Sequence, residues 1–171
     1  RWRATHRQAG RSGVSLTCAC DLPLAGLRVE RTLALRPRSP VIRVTERVQN
    51  LLRRDQPFTM CEHVTFGPPF VEPGVTLFDM PATLGATFPG EFGKPQRLKP
   101  NARFRWPNAP GARGGVVNLR TMGKGRNGDF STQLMNPGLE HAWFSAVNPR
   151  LGLMVAYVWR RHDFPWIGNW E

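Results

Sequence analysis

Lysine is nearly missing from this 171-residue chain: it occurs only at Lys94, Lys99 and Lys124, so the net charge of +12 is carried almost wholly by arginine. The arginines are scattered, and the densest pairs, Arg53–Arg54 and Arg160–Arg161, sit beside turn residues. Single-strand binding needs a continuous basic track interleaved with aromatics. No such track is present, and nucleic acid is not expected as a partner. The three cysteines, Cys18, Cys20 and Cys61, are odd in number and lack zinc-type spacing. They read as small buried or half-buried thiols, and neither a metal nor a cofactor is expected. No apolar run approaches the ~20 residues of a membrane-spanning helix, so a membrane is not an expected partner. No secretory leader is visible and a cytoplasmic place is expected; secretion is left open, because the chain begins at Arg1 without a Met. A G-x-S-x-G element is missing too, which disfavours a serine hydrolase. The glycines of residues 122–128 (MGKGRNG) lack the spacing and strand–helix context of a phosphate loop.

Glycine and proline are abundant, at 17 and 16 residues. That much punctuation cuts the chain into short elements and favours many strands joined by turns. Residues 27–35 alternate, with Leu27, Val29, Leu33 and Leu35 on one face and Arg28, Glu30 and Thr32 on the other. Arg31 is the misfit on the apolar side. After the Arg36–Pro40 turn (RPRSP), residues 41–50 alternate again through Ile42, Val44 and Val48, which predicts a hairpin of two long strands. Residues 58–66 are expected to form a further strand. Its greasy face would hold Phe58, Met60, Val64 and Phe66, and its polar face Thr59, Cys61, His63 and Thr65. From 72 to 128 the pattern weakens into loops and short edge strands. Residues 130–135, 142–147 and 151–159 then read as three strands, the last apolar on both faces and therefore expected at the centre of a sheet. No helix, internal repeat or domain boundary stands out, and residues 1–171 are expected to form a single β-sandwich domain.

Two features could carry chemistry. His63 lies on the polar face of an otherwise apolar strand, either as a titrating group or as a histidine satisfied by neighbouring hydroxyls. His141 reads as a cap beside Glu140, and His162–Asp163 is an unspecific pair. The last segment packs Trp159, Phe164, Trp166 and Trp170 into twelve positions, with Arg160 and Asn169 beside them. Exposed indoles with amide and guanidinium groups suit a sugar ring, which offers C–H faces for stacking and hydroxyls for hydrogen bonds. Buried, the same tryptophans would simply be core.

Taken in order, residues 27–70 (LRVERTLALRPRSPVIRVTERVQNLLRRDQPFTMCEHVTFGPPF) resemble the galactose mutarotase-like superfamily, which includes the aldose 1-epimerases. The matching pattern is a strand at 31–35, a strand at 42–50 ending in Asn50, a turn with Pro57, and a histidine followed by an aromatic, His63 and Phe66. The segments HVTFGPPF (63–70) and DFPW (163–166) are similar to an uncharacterised bacterial branch. The resemblance implies an all-β antiparallel sandwich of the supersandwich type, of which this chain would be the central to C-terminal part. It also implies a small-molecule sugar as partner and interconversion of aldose anomers by general acid–base catalysis. His63 would take the place of the acid. Asp129 resembles the family's sugar-binding aspartate, and Trp166, Trp170 and Glu171 are carried over as substrate-binding residues. The family's catalytic glutamate is expected beyond Glu171. Glu62 before the histidine and the Gly67–Pro69 loop depart from the family pattern. A non-catalytic carbohydrate-binding module on the same fold is the alternative.

Overall fold

A computed structural model of the chain describes residues 1–91, 93–125 and 127–171; Arg126, within the 122–128 loop read above, lies outside them. The described residues are all-β: they contain no helix, and every strand pairing is antiparallel. The backbone divides into two compact units, Arg1–His63 and Val64–Glu171.

The first unit is one meander of β1 (Arg3–Gly10), β2 (Gly13–Leu22), β3 (Leu27–Leu35) and β4 (Ile42–Asn50), paired in that order. The expected hairpin is present as β3 and β4, in register from Leu27 opposite Asn50 to Leu35 opposite Ile42. Arg31 makes sense once the register is known. Its cross-strand partner is Glu46, equally charged on an equally apolar strand face, and Arg31 Nε donates to Glu46 Oε1 at 2.6 Å. Glycine is required at the start of β2: Gly13 has φ +138°, and a Cβ there would stand 2.4 Å from the Leu35 carbonyl oxygen. On the opposite face Thr17 and Thr32 are hydrogen-bonded through their hydroxyls at 2.8 Å, the sort of cross-strand pair that stabilises a sheet.

The second unit holds two sheets. The larger, in the order β13–β10–β6–β7–β8–β9, joins β6 (Ala82–Thr87), β7 (Arg103–Arg105), β8 (Asn108–Pro110), β9 (Val116–Asn118), β10 (Phe130–Met135) and β13 (Trp166–Trp170). The smaller, in the order β12–β11–β5, joins β5 (Leu77–Asp79), β11 (His141–Asn148) and β12 (Leu153–Arg160). The sheets meet through Met135 of β10, Met80 and Ala142 of β11, with Trp106, Phe144, Trp159 and Ile167 packed around them. This is the layered arrangement of a β-sandwich, each sheet burying one face against the other. A second cluster of Leu98, Phe104, Ala109 and Leu119 fills the far end of the larger sheet.

Two expectations are corrected. Residues 58–66 are not a strand. The period-two pattern is there, but among the described residues this segment joins no strand ladder. Phe66 instead lays its ring 5.9 Å from Phe144 and 5.8 Å from Phe70, over the inner face of the smaller sheet. The strand at 151–159 exists as β12, but at the edge of its sheet and not at the centre. Its two-sided apolar character is left largely open, with Met154 and Val158 about two-thirds exposed.

Candidate functional site

The aromatic segment at the C-terminus splits in two. Trp159 belongs to the core between the sheets, and its indole N–H donates to the Phe164 carbonyl at 2.9 Å. Trp166 and Trp170 do not: they are 54% and 61% exposed. Their strand, β13, pairs with β10 so that Trp170 stands opposite Phe130, Gly168 opposite Thr132, and Trp166 opposite Leu134. Period two then puts Trp166, Gly168, Trp170, Phe130, Thr132 and Leu134 on one open face. The two tryptophans are four residues apart on a strand, which separates their Cα atoms by about 13 Å.

Gly168 shapes that face. A Cβ there would stand 3.2 Å from the Phe130 ring, so its absence lets Phe130 lie down beside the strand. Phe88 meets Phe130 edge-on at 6.1 Å, extending the aromatic floor to the end of β6. Beyond β10, Ala86 pairs with Thr132 and with Arg103 of β7, and Leu84 pairs with Arg105. The open face thus runs from two indoles through small and apolar groups to two guanidiniums. The opposite face of the same strands is the interior, where Ser131, Gln133, Thr87 and Phe104 are buried. Gly85 is essential there: a Cβ would come within 2.4 Å of the Phe104 ring.

Asp129 and Glu171, just beyond the ends of β10 and β13, hydrogen-bond each other's backbone at 3.1 Å in both directions and turn to the interior side. Arg97 joins their carboxylates, with Nε 2.6 Å from Asp129 Oδ2 and a terminal nitrogen 2.7 Å from Glu171 Oε2. Asp129 Oδ1 also accepts from the backbone N–H of Arg97 at 2.8 Å and of Leu98 at 3.1 Å, and Glu171 Oε2 accepts from Gly123 N–H at 3.0 Å. Both carboxylates are buried, at 3% and 7% side-chain exposure. The structure therefore brings these two expected site residues together as a clamp on the 97–98 and 123 loops. Of the carboxylate oxygens in this clamp, Glu171 Oε1 has no hydrogen-bond partner among the described residues.

His63 is exposed, at the end of the first unit. The residue before it, Glu62, is held by Arg31 at 2.6 Å, which also holds Glu46 and lies 5.6 Å from the centre of the Trp2 ring. Burial, together with a hydrogen bond to Glu46 and its charge, raises the Glu62 carboxyl above the usual range, against the opposing pull of Arg31. Among the described residues no three His, Cys, Asp or Glu side chains gather as metal ligands.

Sequence reasoning missed Arg97, whose partners lie 32 and 74 residues away. It also passed over Arg103 and Arg105, although the Arg–Phe–Arg alternation at 103–105 is the signature of a strand with a charged outer face. Compared with known proteins, the chain matches no family model, and no match was found among curated proteins or solved structures.

Proposed function

We propose that this protein binds carbohydrate, seating a sugar ring on the open face formed by Trp166, Trp170 and Phe130. The observation that carries the reading is that two indoles, each more than half exposed, share one sheet face while the neighbouring Trp159 is taken into the core. An exposed indole offers a flat apolar surface to the C–H face of a pyranose, and Thr132 stands between the two indoles on the same face for a hydroxyl contact. The resemblance of residues 27–70 to the galactose mutarotase-like superfamily implies the same kind of ligand, although its histidine-bearing segment, 58–66, is a loop and not a strand.

In the catalytic form of this reading the protein interconverts anomers as the aldose 1-epimerases do. A base takes the proton from the anomeric hydroxyl, the C1–O5 bond breaks as the C1 carbonyl forms, and an acid protonates the ring oxygen. Rotation about C1–C2 and the reverse steps give the other anomer. The resemblance of residues 27–70 assigns the acid to His63, which is exposed on a loop of the first unit. Asp129 and Glu171, already joined to Arg97, would serve by fixing the frame of the sugar face.

One experiment tests both forms: NMR of the full chain with a panel of aldoses and short oligosaccharides, beside Trp166→Ala/Trp170→Ala and His63→Ala variants. Sugar-induced shifts that the double tryptophan variant weakens by about tenfold per indole, or ~1.4 kcal/mol each, support the binding reading. Anomer exchange above the buffer rate that His63→Ala abolishes supports the epimerase. The absence of shifts with every sugar at millimolar concentration refutes the reading.

A further inference from the structure

Resting on the carbohydrate reading, we infer that the saccharide this face takes is acidic and longer than one ring, with its anionic group held by Arg103 and Arg105. The two arginines are two residues apart on β7, on the same open face as the tryptophans, as their pairing with Ala86 and Leu84 requires. Both are exposed, and neither has an ion-pair partner among the described residues. Many other arginines are committed elsewhere: Arg97 to Asp129 and Glu171, Arg31 to Glu46 and Glu62, Arg120 to Asp79, and Arg150 to Glu72.

No Asp or Glu stands on this face of β13, β10, β6 and β7. The acidic residues at the ends of β10 and β13, Asp129 and Glu171, turn the other way. The face is therefore apolar at one side and purely cationic at the other. A neutral sugar would leave the two guanidiniums idle. A carboxylate or sulfate offers the paired oxygens that a guanidinium fork binds bidentately.

The order of strands sets the size of the ligand. From β13 to β7 there are three inter-strand steps, about 14 Å at the usual spacing. That is more than one pyranose can span while its ring stays on an indole. The ligand therefore runs across the strands, one ring over the tryptophans and a charged ring over β7. The positive charge stands only at the β7 side and does not follow the aromatics, which is the arrangement for a ligand charged at particular rings. A single-stranded nucleic acid would want a cationic groove tracking its whole backbone.

The test is binding by the full chain of uronide trimers (galacturonan, mannuronan and glucuronan) against neutral trimers of the matching hexoses, followed by tryptophan fluorescence. A short oligodeoxythymidylate is included as a second anion. The expected result is at least one uronide bound tenfold or more above its neutral counterpart at low salt. That preference narrows as salt rises and falls to near unity in Arg103→Gln/Arg105→Gln, whose unchanged affinity for the neutral trimer shows that it is folded. A preference that survives in the double variant, or a neutral trimer bound as tightly as the uronides, overturns the inference and leaves the carbohydrate reading standing. Binding of the oligonucleotide with no response to any saccharide overturns both.

Discussion

Replacing Arg97 with methionine tests whether the clamp at the end of the open face is structural. The substitution keeps most of the aliphatic volume and removes a guanidinium that lies 2.6 Å from Asp129 and 2.7 Å from Glu171. Two carboxylates would then share a buried site without a cation. Breaking a buried ion pair from one side costs about 3–5 kcal/mol. Two features favour the lower end. The Arg97 side chain is 23% exposed, so water can partly replace it. Asp129 also keeps two backbone N–H donors and Glu171 keeps one. A loss of about 3 kcal/mol is expected. With a urea dependence of about 2 kcal/mol/M, it lowers the unfolding midpoint by about 1.5 M. A unit of this size loses about 4 °C of Tm per kcal/mol, hence about 12 °C. The assay is urea unfolding followed by tryptophan fluorescence and near-UV circular dichroism. Adding Asp129→Asn and Glu171→Gln should restore most of the loss, because the damage lies in unpaired charge and not in lost volume. A loss under about 0.5 kcal/mol, or a triple variant no better than the single one, would refute this account.

Gly85→Ala forces a methyl into the Phe104 ring, which belongs to the buried Leu98–Leu119 cluster; it should destabilise the fold by about 1–3 kcal/mol in the same urea assay. Gly168→Ala sets a methyl 3.2 Å from the Phe130 ring on the open face, and should weaken saccharide binding in fluorescence titration while leaving the urea midpoint nearly unchanged. The Glu62 carboxyl is raised by burial and by Glu46. Its contribution to stability is therefore full below the unfolded-state value near pH 4.3 and is lost as pH rises through the folded value. Glu62→Gln should flatten the urea midpoint over that range above the ordinary carboxylate value. Asp79 goes the other way. Burial pushes its carboxyl up, but hydrogen bonds from Arg120, the Met80 backbone and Trp106, with the Arg120 charge, outweigh this and hold it low. Its contribution is present above the unfolded-state value near pH 3.9 and is lost as pH falls through the folded one, so Asp79→Asn should remove part of the acid sensitivity of unfolding.

Local alternation was enough to determine the all-β class and several elements. The Leu27–Leu35 and Ile42–Asn50 hairpin follows from period-two apolar alternation, broken only at the paired Arg31 and Glu46 and at the terminal Asn50, around a proline-bounded turn. The strands at Phe130–Met135 and His141–Asn148 follow from the same rule. The exposed indoles were legible as aromatic density, but not their separation from Trp159, because one composition serves both a core and a surface. Tertiary structure decided which alternating segments found partners. Residues 58–66 alternate and remain a loop, while Leu153–Arg160 is greasy on both faces and still lies at an edge. A strand exists only where another backbone edge accepts its hydrogen bonds, and that edge is supplied from elsewhere in the chain. The same holds for the clamp: Arg97, Asp129 and Glu171 carry no shared local signal, and only the pairing of β10 with β13 and the return of the 97–98 loop set them within hydrogen-bond reach. Periodicity is a property of neighbours in sequence, whereas sheet order and buried charge pairing are properties of neighbours in space.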